Sequence, residues 1–189
     1  MRIVAGTWRG RALVAPRGDA TRPTSDRVRQ ALFDMLLHAP WGGRELMEGA
    51  EVLDAFAGTG ALGLEALSRG AGRAWFMERD RAALAALRVN IAALAAEARV
   101  IAGDATRPPR GTPCRLVFLD PPYGRELGPA AVAALAAAGW LAPGAVLVLE
   151  TGRDEVLPEL GERLAERAHG AARVTVWRWG APGEAQPNA

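Results

Sequence analysis

The stretch Val52-Leu53-Asp54-Ala55-Phe56-Ala57-Gly58-Thr59-Gly60-Ala61-Leu62-Gly63 decides the architecture. Its first five residues are apolar apart from one acid, the pattern of a strand covered on both faces of a parallel sheet. A GxGxxG glycine run follows, and a helix is predicted over about 61–68. Outward from this unit the alternation continues. Arg73 to Met77 reads as a strand, Asp80 to about Ala95 as an alanine-rich helix, and Ala98 to Ile101 as a third strand. Arg115 to Leu119 is a fourth, ending in Asp120-Pro121-Pro122-Tyr123; a helix over about 128–138 and a strand from Ala145 to Glu150 follow. This order predicts an α/β fold with a mostly parallel, helix-covered sheet. Arg163 to Ala168 and Arg173 to Trp179 read as a closing antiparallel pair about Gly170.

The ends of the chain differ in character. Arg2 to Val14 reads as two short strands about a glycine-bearing turn, and Asp26 or Ser25 caps a helix with Val28, Ala31, Leu32, Met35 and Leu36 at helical spacing. Pro40 stops that helix. The expected organisation is an arginine-rich extension over 1–45, a catalytic domain over 46–179, and a disordered tail over 180–189.

Composition removes whole classes of chemistry. All 23 basic residues are arginine, so P-loop, Schiff-base and lysine-base mechanisms are excluded. One cysteine, Cys114, forms no intramolecular disulfide and no cysteine cluster; it reads as a structural thiol. The two histidines, His38 and His169, lack metal-ligand spacing, and no metal is expected. No run is long and apolar enough to span a membrane or to act as a secretory signal, so a cytoplasmic protein is expected. Seven arginines against two aspartates in the first thirty residues, on an acidic remainder, point to a polyanionic partner on one side.

The glycine run alone fits two ligands. Glu78, about twenty residues on, accepts from ribose hydroxyls in a dinucleotide site and equally in an S-adenosylmethionine site. Two features separate them. Asp54 lies on the strand ahead of the glycines, where a pyrophosphate gains nothing from a negative charge but an ammonium group does. Asp120-Pro121-Pro122-Tyr123 provides a stiff loop whose Asp120 carboxylate and Pro121 carbonyl suit an exocyclic amine with two N–H donors. Tyr123, the only tyrosine, offers a face for an extruded base. An aromatic amine is a poor nucleophile, and gripping both its protons frees the lone pair for an activated methyl group.

In order, Asp54 with Gly58, Gly60 and Gly63, then Glu78, Gly103-Asp104-Ala105 and Asp120-Pro121-Pro122-Tyr123 resemble the motifs of Rossmann-like S-adenosylmethionine-dependent methyltransferases acting on amino groups. Arg2-Ile3-Val4-Ala5-Gly6, Arg9-Gly10-Arg11 and Arg22-Pro23-Thr24-Ser25-Asp26-Arg27-Val28-Arg29 resemble the opening of the bacterial small-subunit ribosomal RNA guanine-N2 methyltransferases, the RsmD family. The resemblance runs to about Trp179. It implies a single class I methyltransferase domain with a mostly parallel seven-stranded sheet and an antiparallel C-terminal strand. It implies S-adenosylmethionine held by Asp54, Gly58, Gly60, Glu78, Arg79, Asp104 and Ala105, with Asp120, Pro121, Pro122 and Tyr123 as the catalytic site. Arg9, Arg11, Arg22, Thr24 and Arg27 would contact RNA. The implied partner is 16S ribosomal RNA, free or within a 30S subunit, acted on by a monomer. Gln30 and Asp34 depart from the family pattern. The competing readings are an adenine-N6 methyltransferase, an NAD-dependent oxidoreductase and a non-catalytic RNA-binding module. Asn90 and Glu150 have no assigned part beyond a helix polar residue and a strand end at the substrate rim.

Overall fold

The computed structural model describes residues 1–16, 26–122 and 127–180. Strands β1 (Glu51–Asp54), β2 (Arg73–Glu78), β3 (Ala98–Ala102), β4 (Cys114–Leu119), β5 (Leu141–Gly152), β6 (Gly161–His169) and β7 (Ala172–Trp179) form one sheet in the order β3-β2-β1-β4-β5-β7-β6. The first five run parallel, and β7 is antiparallel to both β5 and β6. Helices α1 (Asp26–His38), α2 (Arg44–Met47), α3 (Ala61–Ser68), α4 (Arg81–Leu94) and α5 (Leu127–Ala137) complete the described fold.

Side-chain alternation sorts the two faces. Val52, Phe76, Leu116, Phe118, Val146, Val148, Val174 and Val176 point to the face covered by α1, α2, α3 and α4. Leu53, Met77, Val117, Leu119, Leu147, Leu149 and Trp177 point to the other, against Val132 and Leu135 of α5 and the buried Trp140. Gly63 is required here for packing: a methyl group on it would lie 2.4 Å from the Phe76 ring.

Two local expectations change. Strand β5 starts at Leu141 rather than Ala145, because the ladder jumps from Cys114↔Leu141 to Leu116↔Val146. The irregularity absorbs Pro143 and Gly144, residues that otherwise end a strand. The N-terminal segment is not a pair of strands but a single bridge, Arg2↔Ala12. Backbone bonds still cross the segment, from Ile3 N–H to the Arg11 carbonyl and from Gly10 N–H to the Ile3 carbonyl (2.9 Å each), but the rest turns to α3: Val4 and Ala5 N–H donate to Glu65 (2.8 and 3.0 Å), and Thr7 N–H donates to the Ser68 carbonyl (2.8 Å). Only glycine permits the approach at Gly6, where φ is 79° and a Cβ would sit 1.8 Å from the Ser68 carbonyl oxygen. The short helix α2 has no counterpart in the sequence reading, since four residues show no periodicity.

Candidate active site at the carboxyl edge of the sheet

The ladder register lines up the acids. Asp54 pairs with Phe76 on one side and Phe118 on the other, and Phe118 pairs with Val148. Two residues further along their strands come Glu78, Asp120 and Glu150. By alternation all four carboxylates emerge on the face covered by α1 and α3, at the carboxyl edge, where open α/β sheets bind ligands.

Asp54 is buried, and its Oδ2 accepts from Gly63 N–H at 3.0 Å. Gly63 is the third residue of α3, whose N-cap, Gly60, has no side chain, so Asp54 caps the helix from the neighbouring strand. Burial raises its pKa to about 7; the Gly63 N–H works against that and Glu78 adds to it. A buried acid under this strain is relieved by a cation brought to it.

Glu78 ties the glycine loop to the turn after β2. Its Oε2 accepts from Gly58 N–H and its Oε1 from the Arg79 and Asp80 N–H groups, all at 2.7 Å. A carboxylate offers about four acceptor sites, so capacity remains for a hydroxyl. A methyl group on Gly58 would meet nothing within 4 Å, so the loop borders open space there. At Gly60 it would meet Leu87, 2.4 Å away, so that glycine also serves packing.

Asp104 sits beyond β3. Its Oδ1 accepts from Thr106 N–H (2.9 Å) and Oγ1 (2.8 Å), and Oδ2 accepts from Arg79 (2.9 Å). The Thr106 bonds and the Arg79 guanidinium hold its carboxyl below the usual range. Ala105 is buried beside it. The Asp54, Gly58, Glu78, Arg79 and Asp104 positions therefore share one edge, across β1, β2 and β3.

Asp120 follows β4. Burial, then Glu150, then Asp54 push its pKa up to about 8. It shares a small cavity with Glu150, Val28, Leu32, Leu62, Leu119, Val148 and Val174. Pro121 is buried and Pro122 exposed. Arg9, Arg11 and Arg27 are exposed, and Arg11 donates to the Ala93 carbonyl at 3.0 Å. Tyr123, Arg22 and Thr24 lie outside the described residues, as do 181–189 of the expected tail.

Three residues matter more than their sequence context suggests. Glu65 is fully buried and gathers Val4 N–H, Ala5 N–H, the Arg69 Nε–H (2.7 Å) and the buried Arg29 (3.6 Å). Arg29 also bonds Asp26 at 2.8 Å and the Arg2 carbonyl. The one acid in the apolar helix ALGLEALS, four residues before Arg69, was the available signal. Asn90 accepts from Val14 N–H (2.7 Å) and donates to the Val14 and Thr59 carbonyls (3.0 Å each), joining the arm to the glycine loop. Gln30 donates to Asp34 at 2.6 Å, and both meet Arg69, so these two residues link α1 to the end of α3.

Among the described residues no group of acids, histidines or cysteines could hold a metal, and no helix is long and apolar enough to cross a membrane. Cys114 is buried, its Sγ donating to the Thr112 carbonyl, and burial pushes the thiol up to about 12.

Seven strands in the order 3-2-1-4-5-7-6, with this glycine loop after β1, form a Rossmann-like fold of the kind found in solved methyltransferases. The Thermus thermophilus 16S rRNA N2 G1207 methyltransferase, solved with AdoMet and guanosine, shares it at TM-score 0.63 and 23% identity, over 87% of this chain and 45% of that one. The family model described as Conserved hypothetical protein 95 matches residues 1–178. Ribosomal RNA small subunit methyltransferase D of Escherichia coli K12 is 44% identical over 161 residues, 84% of this chain and 78% of that protein. The protein of the same name from Haemophilus influenzae is 38% identical, over 94% and 93% of the two chains. The chain belongs to this family of small-subunit ribosomal RNA methyltransferase D proteins. A solved Escherichia coli structure, yhhF, superposes at TM-score 0.82 and 38% identity over 96% of this chain and 98% of that one.

Proposed function

We propose that this protein transfers a methyl group from S-adenosylmethionine to the exocyclic N2 of a guanine in small-subunit ribosomal RNA. The observation that carries the reading is the row of carboxylates Asp54, Glu78 and Asp120, placed at one sheet edge by the strand register. It stands in a chain whose full-length relatives are named as ribosomal RNA methyltransferases.

The residues suit the methyl donor. Asp54, buried and without an arginine among the described influences on its charge, would take the ammonium group. Glu78 would accept from the ribose, Gly58 and Gly60 would border the methionine end, and Asp104, Ala105 and Arg79 would flank the adenine. When bound, S-adenosylmethionine would supply an electrophilic methyl carbon; the N2 lone pair would form the C–N bond as the S–C pair returns to sulfur, and the proton then lost from nitrogen would pass to water. Asp120 and the Pro121 carbonyl accept from the amino protons, so the nitrogen lone pair turns out of the ring. Tyr123 would stack on the base. The arm over 1–45, through Arg9, Arg11, Arg22, Thr24 and Arg27, would grip phosphates of 16S ribosomal RNA, free or in a 30S particle. The protein would act as a monomer in the cytoplasm.

Asp120→Asn tests the reading. Methylguanosine formation on ribosomal RNA, measured by nucleoside mass spectrometry, should fall by at least about a hundredfold, while S-adenosylmethionine affinity by calorimetry stays within about threefold. Equal loss of both would make Asp120 structural. Methyl-adenosine as the product would assign the site to adenine instead.

A further inference from the structure

Helix α1 leads from the candidate site to a second concavity. Val28 and Leu32 line the small cavity that Asp120 shares; further along the helix, Met35 and His38 line a groove against strand β6. Its volume is about 370 Å³, within the range of about 300–1,000 Å³ usual for small-molecule sites. Pro40, Trp41, Leu164 and Arg167 line it as well. The turn carrying Trp41 is tightly built. Helix α1 stops at His38, and the chain folds back on it through Gly42 N–H to the Ala39 carbonyl and Gly43 N–H to the Leu36 carbonyl (2.9 Å each). A Cβ on Gly42 would sit 2.1 Å from the Leu36 carbonyl oxygen, so glycine is required there. Trp41 is thereby held half-buried against the core under α1.

The sheet register gives the distance to the site. Leu119↔Leu149 sets position 120 against Glu150, Glu150 pairs with Val174, and Val174 pairs with Arg167. Arg167 therefore stands on the row of Asp120, three strand spacings or about 14 Å away. Val174 belongs to the core under α1, so Arg167 opposite it projects on that face too. This span is roughly four stacked nucleotides at about 3.4 Å each, and fewer in a strand drawn out.

Charge favours an anion here. The acids of α1 and β6 are turned to arginines: Asp26 to Arg29, Asp34 to Arg69, Glu162 to Arg178 and Glu166 to Arg163. Glu166 pairs with Thr175 and so projects on the face of Trp177, away from the groove. His38 and Arg167 are exposed. Arg167 spends one N–H on the Glu166 carbonyl (3.0 Å), and its guanidinium carries several more. An indole, apolar walls and two basic side chains match a base with its phosphate.

We propose that the groove between α1 and β6 takes a nucleotide close to the target in the same RNA strand, its base on Trp41 and its phosphate on Arg167 and His38. This rests on the ribosomal RNA reading above and adds a second grip. The arginine-rich arm packs on α3, over β1 and β2, whereas the groove lies on the β6 side of the site, so the strand is held on both sides of the reacting base.

The full chain with p-benzoylphenylalanine in place of His38 is irradiated with ribosomal RNA, free and in 30S particles, and the crosslinked nucleotide is mapped by primer extension. It should fall within about four nucleotides of the methylated guanine. A crosslink only to distant RNA, to a ribosomal protein or to nothing overturns the assignment. Two variants test it independently. Trp41→Leu keeps an apolar filler without a stacking face and should raise KM for RNA about tenfold. Arg167→Ala should raise it about as much and lower the log–log salt slope of RNA binding by about one. In Arg167→Ala, S-adenosylmethionine affinity should stay within about twofold and Tm within about 2 °C, since the side chain is exposed. A rise in KM accompanied by equal losses of S-adenosylmethionine affinity and Tm would mark a folding defect and refute the contact. A wild type that methylates no ribosomal RNA overturns the underlying reading; one that methylates it while both variants match it overturns the groove alone.

Discussion

Replacing Asp54 with asparagine should stabilise the ligand-free protein while removing its hold on S-adenosylmethionine. Asp54 is fully buried, and its pKa rises from an ordinary 3.8 to about 7. The sign follows from linkage. Below pH about 4 the carboxyl is protonated in both folded and unfolded chains and costs nothing. Between the two pKa values only the unfolded chain ionises, so folding loses about 1.4 kcal/mol per pH unit. Above pH 7 the cost levels off at about 4 kcal/mol, a ceiling that local relaxation lowers. Asparagine keeps a carbonyl oxygen for the Gly63 N–H bond and never ionises. It gives up the charge at the α3 N-terminus, a loss of about 1 kcal/mol at most. The net gain at pH 8 is then about 2 kcal/mol or more, a rise of roughly 4–8 °C in Tm for a chain of this size. The gain should shrink as pH falls to 5. Differential scanning fluorimetry of both proteins from pH 5 to 8, with and without S-adenosylmethionine, reads both effects: the variant starts higher and shows no ligand shift. A variant destabilised equally at every pH, or one that keeps the full ligand shift, would refute the account of Asp54 as a charge stored for a cation.

Other outcomes follow from the same geometry. Glu65→Ala takes from the buried Arg29 one of the acids it meets, and should cost about 3–5 kcal/mol in urea denaturation, with faster amide exchange at Val4 and Ala5. RNA affinity should fall with salt, and Arg9→Ala with Arg11→Ala should reduce the log–log slope by up to about two; an unchanged slope removes these residues from the interface. kcat/KM should rise with pH to a plateau above about 8 as Asp120 ionises, and Glu150→Gln should move that limb to lower pH by removing a repulsive charge beside Asp120.

Periodicity and turn chemistry are local, and what depended on them was readable from the chain. The helix over 61–68 and the third strand from Ala98 follow from apolar spacing and flanking breakers, and match the structure to within a residue. The glycine loop, Glu78 and the Asp-Pro-Pro segment were visible as motifs. Strand β5 and the N-terminal arm were misread for one reason. A bulge that hides a proline, and a backbone that bonds to a helix sixty residues away, are settled by partners that no local window contains.

Length, composition and motif order by themselves determined the α/β class, the absence of lysine chemistry and the carboxylates that would meet the ligands, because each is written in neighbouring residues. Only the tertiary structure decided which of those acids are neighbours. Asp54, Glu78, Asp120 and Glu150 are spread over almost a hundred residues, and hydrogen-bond register across four strands brings them to one edge and one face. The same holds for Arg29, Glu65 and Asn90, whose ordinary settings in sequence conceal that they fasten the arginine-rich arm to the helix and loop beside the site. Their importance lies in burial, and burial is a property of the whole fold.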